Sequence, residues 1–178
     1  MPRAKYFIAI VLPEPGQGII EDLKQGLFKQ YNLKGALRSP AHITLHRPFE
    51  WKEEKENRLI DSLKQFPAGP AFEINLQNFG FFEPRVIYVD VLENKDLRQL
   101  RDGLMKFAKK ELHLFNETED LRGFHPHVTV AFRDLKKPLF YELKERFLKE
   151  NVQEKFKCNS FNLLKLRDKW EVVHTFNI

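Results

Sequence analysis

A chain of 178 residues that is 42% hydrophobic and 31% charged is too apolar for a disordered segment and long enough for one packed core. Its single cysteine, Cys158, excludes an internal disulfide framework. The early apolar run at residues 6–12 is too short to span a bilayer and has no small-residue cleavage site after it, so a soluble cytoplasmic protein is expected. A net charge of +5 with a pI near 9.2 suits a polyanionic partner such as RNA, or simply a solvated, lysine-rich surface.

Residues 6–12 are apolar and end in Pro13, Glu14 and Pro15, which reads as a buried strand. A helix over 18–31 follows, with Ile19, Leu23, Leu27 and Tyr31 as its apolar face. Residues 32–41 form a loop with Gly35, Arg38, Ser39 and Pro40, and a strand runs from His42 to Arg47, stopping at Pro48. The next helix covers 53–66, with Leu59, Ile60, Leu63 and Phe66 inward, and is broken by Pro67, Gly69 and Pro70. Phe72, Ile74 and Leu76 alternate with polar residues, as in a half-exposed strand. Residues 80–85 turn the chain into a strand at 86–92. The order then repeats. A helix spans 96–112, with Leu97, Leu100, Leu104, Phe107 and Leu112 inward, and a polar loop spans 116–126 with Arg122 and Gly123. A strand covers 127–132, and Pro138 opens a helix whose apolar face is Leu139, Leu143 and Phe147. One strand is expected over 156–166, its alternation shifting near Asn159 and Ser160 as at a bulge. A last strand over 170–178 then carries Trp170, Val172, Phe176 and Ile178 on one face.

Two short stretches stand out. His42-Ile43-Thr44-Leu45 is echoed, 85 positions on, by His127-Val128-Thr129-Val130. Strand side chains alternate between faces, so each stretch presents one imidazole and one hydroxyl together and buries two aliphatic residues. With the repeated element order, this points to an internal duplication: a leading strand at 6–12, a first repeat over roughly 18–92 and a second over roughly 96–178. Together they make a single two-lobed α+β domain. A pseudo-twofold arrangement would bring both motif strands to one shared cleft. A pair of imidazoles can take and give a proton at once near neutral pH, and hydroxyls can hold an oxyanion. That equipment suits cleavage of a phosphodiester without a metal or other cofactor.

The chain resembles the 2H phosphoesterase superfamily, and within it the family named for bacterial 2'-5' RNA ligase, or RNA 2',3'-cyclic phosphodiesterase. The resemblance rests on residues 40–49 and 124–132, which carry the two His-x-Thr-x motifs. It implies a concave antiparallel sheet in each lobe with helices on the outer face, and a central cleft between lobes. It also implies a metal-independent opening of 2',3'-cyclic phosphate at RNA ends or on small nucleotides, with a reverse 2'-5' ligase activity. His42 would be the proton donor to the leaving oxygen, His127 the base that activates water, and Thr44 and Thr129 the phosphate-binding groups. A monomer is expected. Alternative readings keep the fold but change the role: a phosphodiesterase for another cyclic nucleotide such as ADP-ribose 1'',2''-cyclic phosphate, or an RNA- or nucleotide-binding module without turnover.

Other candidates have plainer readings beside the functional one. His46 either lines the cleft on the face of Thr44 or ends the strand at the surface. Arg47 and Arg133 trail the motifs, and Arg38 and Arg122 precede them, as phosphate contacts or solvated cations. His125 and His127 have metal-pair spacing, but Pro126 between them fits a strand entry better. Phe82 and Tyr88 stack a base or pack in the core. His174 reads as structural, and His113 as a helix-end cation.

Overall fold

The structure is a computed structural model that describes residues 1–115 and 123–178. Among the described residues, eight strands and four α-helices follow in the order β1 (Arg3–Val11), α1 (Gly16–Tyr31), β2 (His42–Lys52), α2 (Glu56–Leu63), β3 (Phe72–Phe82), β4 (Val86–Val91), α3 (Lys95–Glu111), β5 (His127–Ala131), α4 (Lys137–Phe147), β6 (Gln153–Cys158), β7 (Ser160–Leu166) and β8 (Trp170–Asn177). The strands form two antiparallel four-stranded sheets, ordered β2-β1-β7-β8 and β5-β4-β3-β6. This is the expected α+β, two-lobed architecture. Arg122 and most of the loop over 116–126 lie outside the described residues.

Each sheet draws strands from both halves of the chain, so the sheet boundaries do not coincide with the repeat boundaries near residues 92 and 96. The crossing happens at Asn159. The single strand expected over 156–166 is two: β6 pairs with β3 in one sheet, and β7 pairs with β1 in the other. The alternation shift near Asn159 marks a change of sheet rather than a bulge.

β2 does not stop at Pro48 but continues to Lys52. It is an edge strand, where a missing N–H costs no ladder bond, and Pro48 falls where the register against β1 shifts between Tyr6 and Ile8. β3 likewise runs on to Phe82, through Gly80. Gly80 is needed there because the Tyr88 ring lies against the backbone: a Cβ on Gly80 would sit 2.2 Å from a Tyr88 ring carbon.

The helices cover the outer faces. α1 buries Ile20, Lys24 and Leu27, while Ile19 is 37% exposed, so its inward face is turned from the expected one. A strict four-residue step drifts around a helix of 3.6 residues per turn, and the buried stripe follows the helix. Asn94 caps α3 by accepting the Leu97 N–H at 2.9 Å, and Pro138 occupies the first turn of α4. The main core runs from Tyr6 to Phe176 and includes Ile8, Ile43, Ile74, Val89, Leu104, Val128 and Phe161. Phe7, Ala9 and Leu164 make a second, smaller apolar cluster with Val11 and Trp170 on the opposite face of the first sheet. Trp170 and Phe176 therefore do not share a face. A register shift between Leu163 and Leu164 turns β8 over between them, leaving Val172 43% exposed. Cys158 is a buried core thiol, pushed up to about 11 by that burial.

Candidate active site

The motif strands β2 and β5 are edge strands of different sheets, and they approach one another across the molecule. The first five residues of each share one burial pattern. His42, Thr44, His127 and Thr129 are half-buried, and Ile43, Leu45, Val128 and Val130 are buried. Pairing with the neighbouring strand is also equivalent. His42 lies opposite Val11 and Thr44 opposite Ala9; His127 lies opposite Asp90 and Thr129 opposite Tyr88. In both sheets the register then slips by one residue, at Leu45 and at Val130. Such a slip reverses the alternation beyond it.

That slip corrects the reading of His46. Two steps past Thr44 it would face the cleft in a regular strand, but the bulge at Leu45 turns it inward. It is 1% exposed, its ring sits edge-on to Phe49 at 5.4 Å, and its Nδ1 is 2.9 Å from the Arg47 carbonyl. Ala131 holds the matching buried position in β5. Arg47 lies on the exposed stretch beyond the slip. Arg133 has a left-handed backbone, φ 67°, and its guanidinium lies 5.1 Å over the Phe132 ring.

Each motif histidine is held the same way. His42 Nδ1 is 2.7 Å from the Pro40 carbonyl, and His127 Nδ1 is 2.7 Å from the His125 carbonyl. A carbonyl only accepts, so Nδ1 must carry the hydrogen. In the neutral rings Nε2 is then the basic nitrogen, and its direction is set by the Nδ1 bond. Burial pushes His42 down to about 4, with the Lys24 and His127 charges adding to the effect and the Pro40 bond opposing it. Burial also lowers His127; its carbonyl bond and Asp90 oppose that, and His125 adds to it. That the His127 charge adds to the lowering of His42 fits the approach of the two strands.

The surroundings contain residues the sequence reading did not single out. Lys24 on α1 is 2% exposed and donates to Glu21 Oε1 at 2.9 Å and to the Ser39 carbonyl at 3.0 Å. The Ala41 N–H donates to Gln17 Oε1 at 2.8 Å and to Glu21 Oε1 at 3.0 Å. Helix α1 thus pins the loop whose Pro40 carbonyl orients His42. On the other side, His125 Nε2 is 3.2 Å from both Asp90 Oδ1 and the Tyr88 hydroxyl. Phe82 stands perpendicular to the His127 ring at 5.0 Å, and Tyr88 tilts against it at 5.1 Å. Signals for some of these were present in the sequence. Asp90 is a lone carboxylate in an apolar strand, and Lys24 falls three residues before Leu27 on the inward stripe of α1. Among the described residues no three of His, Cys, Asp and Glu are grouped to hold a metal ion. His174 tilts against Phe176 at 4.6 Å, and His113 follows the end of α3 with φ 53°.

A cavity of about 270 Å³ opens beside Pro40 and is lined by Gln17, Glu21, Arg38, Ser39, Lys169 and Trp170, among others. It adjoins the His42 side of the cleft: Trp170 packs edge-on against Phe7 at 4.7 Å, and Phe7 lies 5.0 Å from the His42 ring.

Two sheets of matching topology, each offering a carbonyl-held histidine and a threonine from its edge strand, define the two-motif phosphoesterase class. The chain belongs to the 2'-5' RNA ligase superfamily, whose family model matches residues 12–170. It is 30% identical to a protein of Geobacillus kaustophilus that bears a phosphoesterase name, over 97% of this chain and 95% of that one. The fold is similar to that of TT0787 of Thermus thermophilus, at a TM-score of 0.70 and 20% identity over 97% of both chains. It is also similar to that of E. coli LigT, solved as a complex with 3'-AMP, at a TM-score of 0.67 and 20% identity over 99% of both chains. No helix among the described residues is long and apolar enough to cross a membrane.

Proposed function

We propose that this phosphoesterase-family chain is a metal-independent phosphodiesterase that opens 2',3'-cyclic phosphates at RNA ends or on small nucleotides by two-histidine acid–base catalysis. The observation that carries the reading is the matched pair of carbonyl-held imidazoles on facing strands. One basic Nε2 takes a proton from the attacking water, and one protonated Nε2 gives a proton to the leaving ribose oxygen. Thr44 and Thr129 donate to the non-bridging oxygens as charge grows there. The cavity beside His42, with Arg38 and Lys169 as cations and Trp170 as an aromatic wall, has the chemistry of a nucleoside phosphate subsite. The 3'-AMP bound to LigT supports a nucleotide substrate. With a 5'-hydroxyl in place of water, the same groups would open the ring onto that hydroxyl: its oxygen bonds to phosphorus, the bond from phosphorus to the 3'-oxygen breaks and that oxygen takes a proton, a 2'-5' ligation. One chain supplies both histidines, so a monomer suffices.

The test is turnover of 2',3'-cyclic-phosphate ends and cyclic nucleotides in EDTA. Activity should survive the chelator, follow a bell-shaped pH profile, and fall by roughly 10²-fold or more in both His42→Ala and His127→Ala. Equal activity of the wild type and both variants would end the catalytic reading.

A further inference from the structure

His42 and His127 are held alike, but the peptides that hold them differ by one hydrogen. The Pro40 carbonyl, which accepts the His42 Nδ1–H at 2.7 Å, shares a peptide plane with the Ala41 N–H. That peptide is trans, so the two groups lie on opposite edges of one rigid plane, and whatever grips the N–H also aims the carbonyl. Helix α1 grips it. The Ala41 N–H is shared between Gln17 Oε1 at 2.8 Å and Glu21 Oε1 at 3.0 Å, two side chains about one helical turn apart. Lys24, 2% exposed, donates to Glu21 Oε1 at 2.9 Å and to the Ser39 carbonyl at 3.0 Å, so the backbone is fastened on both sides of Pro40. In the second half the residue before the motif histidine is Pro126. The His125 carbonyl that holds His127 therefore belongs to a peptide with no N–H.

We infer that Glu21, together with Gln17, is a positioning residue for His42 that acts on the imidazole through the Pro40–Ala41 peptide group, a relay that His127 lacks. For its effect on turnover the inference rests on the phosphodiesterase reading above. The relay does two things. It fixes the direction of the Nδ1 bond and with it that of Nε2 across the ring, where a misplacement of about 1 Å can cost roughly 10²-fold in rate. It also polarises the peptide. A carboxylate at the N–H pushes electron density onto the carbonyl oxygen and strengthens its bond to the ring, as hydrogen bonds in a chain reinforce one another. In the serine-protease arrangement the orienting carboxylate sits directly against the histidine; here a backbone amide is interposed. Gln17 supplies the geometry without charge, and Glu21 adds the charge. Both side chains also line the cavity beside Pro40, so a nucleotide bound there lies against the pair that aims His42.

Gln17→Ala with Glu21→Ala takes both acceptors from the Ala41 N–H. On a 2',3'-cyclic nucleotide kcat should fall by roughly 10–10²-fold, whereas Gln17→Ala alone and Glu21→Gln alone, which each leave an acceptor in place, should keep most of it. Added to His42→Ala, the double change should cost no further factor, because the group it positions is gone. A full further loss would mark a merely structural role and overturn the inference. The second readout is the proton NMR spectrum of the ring N–H groups, recorded without substrate. In the double variant the His42 Nδ1–H signal should move upfield and exchange faster with water while that of His127 stays. A His42 signal that does not move, or two signals that move together, would also overturn it. Should the double variant fail to fold with Lys24 buried, Gln17→Ala with Glu21→Met and Lys24→Met removes the ion pair whole and carries the same expectations. A wild type inactive on every phosphodiester would sink the phosphodiesterase reading alone, since the ring signals still decide whether α1 holds His42.

Discussion

His42 couples the chemistry of the cleft to the stability of the fold. Burial among Phe7, Val11 and the α1 loop holds its imidazole down to about 4, whereas the ring titrates near 6.5 in an unfolded chain. As pH falls, the unfolded state takes the proton first. The resulting stabilisation of the folded state is complete above about pH 6.5 and is lost as pH drops from there towards 4. Between pH 7 and pH 5 the wild type should lose on the order of 1–2 kcal/mol that His42→Asn does not lose. Urea unfolding of both proteins at the two pH values measures this, and parallel losses would show that the ring is not desolvated. His42 and its threonine were legible because residues two apart on a strand share a face. Asp90 and Lys24 stand out in the sequence only as polar residues at inward positions, because their place beside an imidazole depends on strand pairing and helix docking. His46 was misread for a related reason: a one-residue slip at Leu45 leaves no mark in the spacing of His42, Thr44 and His46.

At the scale of elements, β3 and β4 carry the tightest fit of the His127 half. The Tyr88 ring lies across Gly80, 5% exposed, with its hydroxyl 3.2 Å from His125 Nε2 and its ring 4.4 Å from Phe82. A methyl group at Gly80 meets the ring at 2.2 Å, so the ring or the strand must shift. Gly80→Ala should cost about 1–3 kcal/mol in urea unfolding. It should also lower kcat, because Tyr88 would leave the side of His127, whereas Gly26→Ala on exposed α1, where nothing lies within 4 Å, should do neither. Element order was readable from hydrophobic period and from Pro and Gly breaks, and the four helices fall close to where that period puts them. The errors gather where tertiary context overrides a local signal. Gly80 reads as a turn but serves a cross-strand ring, Pro48 reads as a stop but lies on an edge strand, and the β6–β7 junction reads as one strand because a change of sheet costs only one residue.

At the scale of the whole molecule, the repeat is visible in sequence, but the exchange of strands between sheets is not. Residues 1–94 contain β1 to β4, yet those strands belong to two different sheets. Cut from the rest, β1 would keep β2 and lose β7, and β3 would keep β4 and lose β6. Two isolated strand pairs remain, each with one face stripped of its cover, and strand pairs of that kind are marginal in water. The core tells the same story, since Ile8 and Ile43 share a cluster with Val128, Leu163 and Phe176. The fragment 1–94 should therefore show no cooperative thermal unfolding by circular dichroism, and neither should 95–178. Co-expressed, the two should recombine into a species that unfolds cooperatively and recovers phosphodiesterase activity, because only then are both sheets complete and both imidazoles on facing strands. A cooperatively folding 1–94 would mean that the repeats, rather than the sheets, are the units of stability.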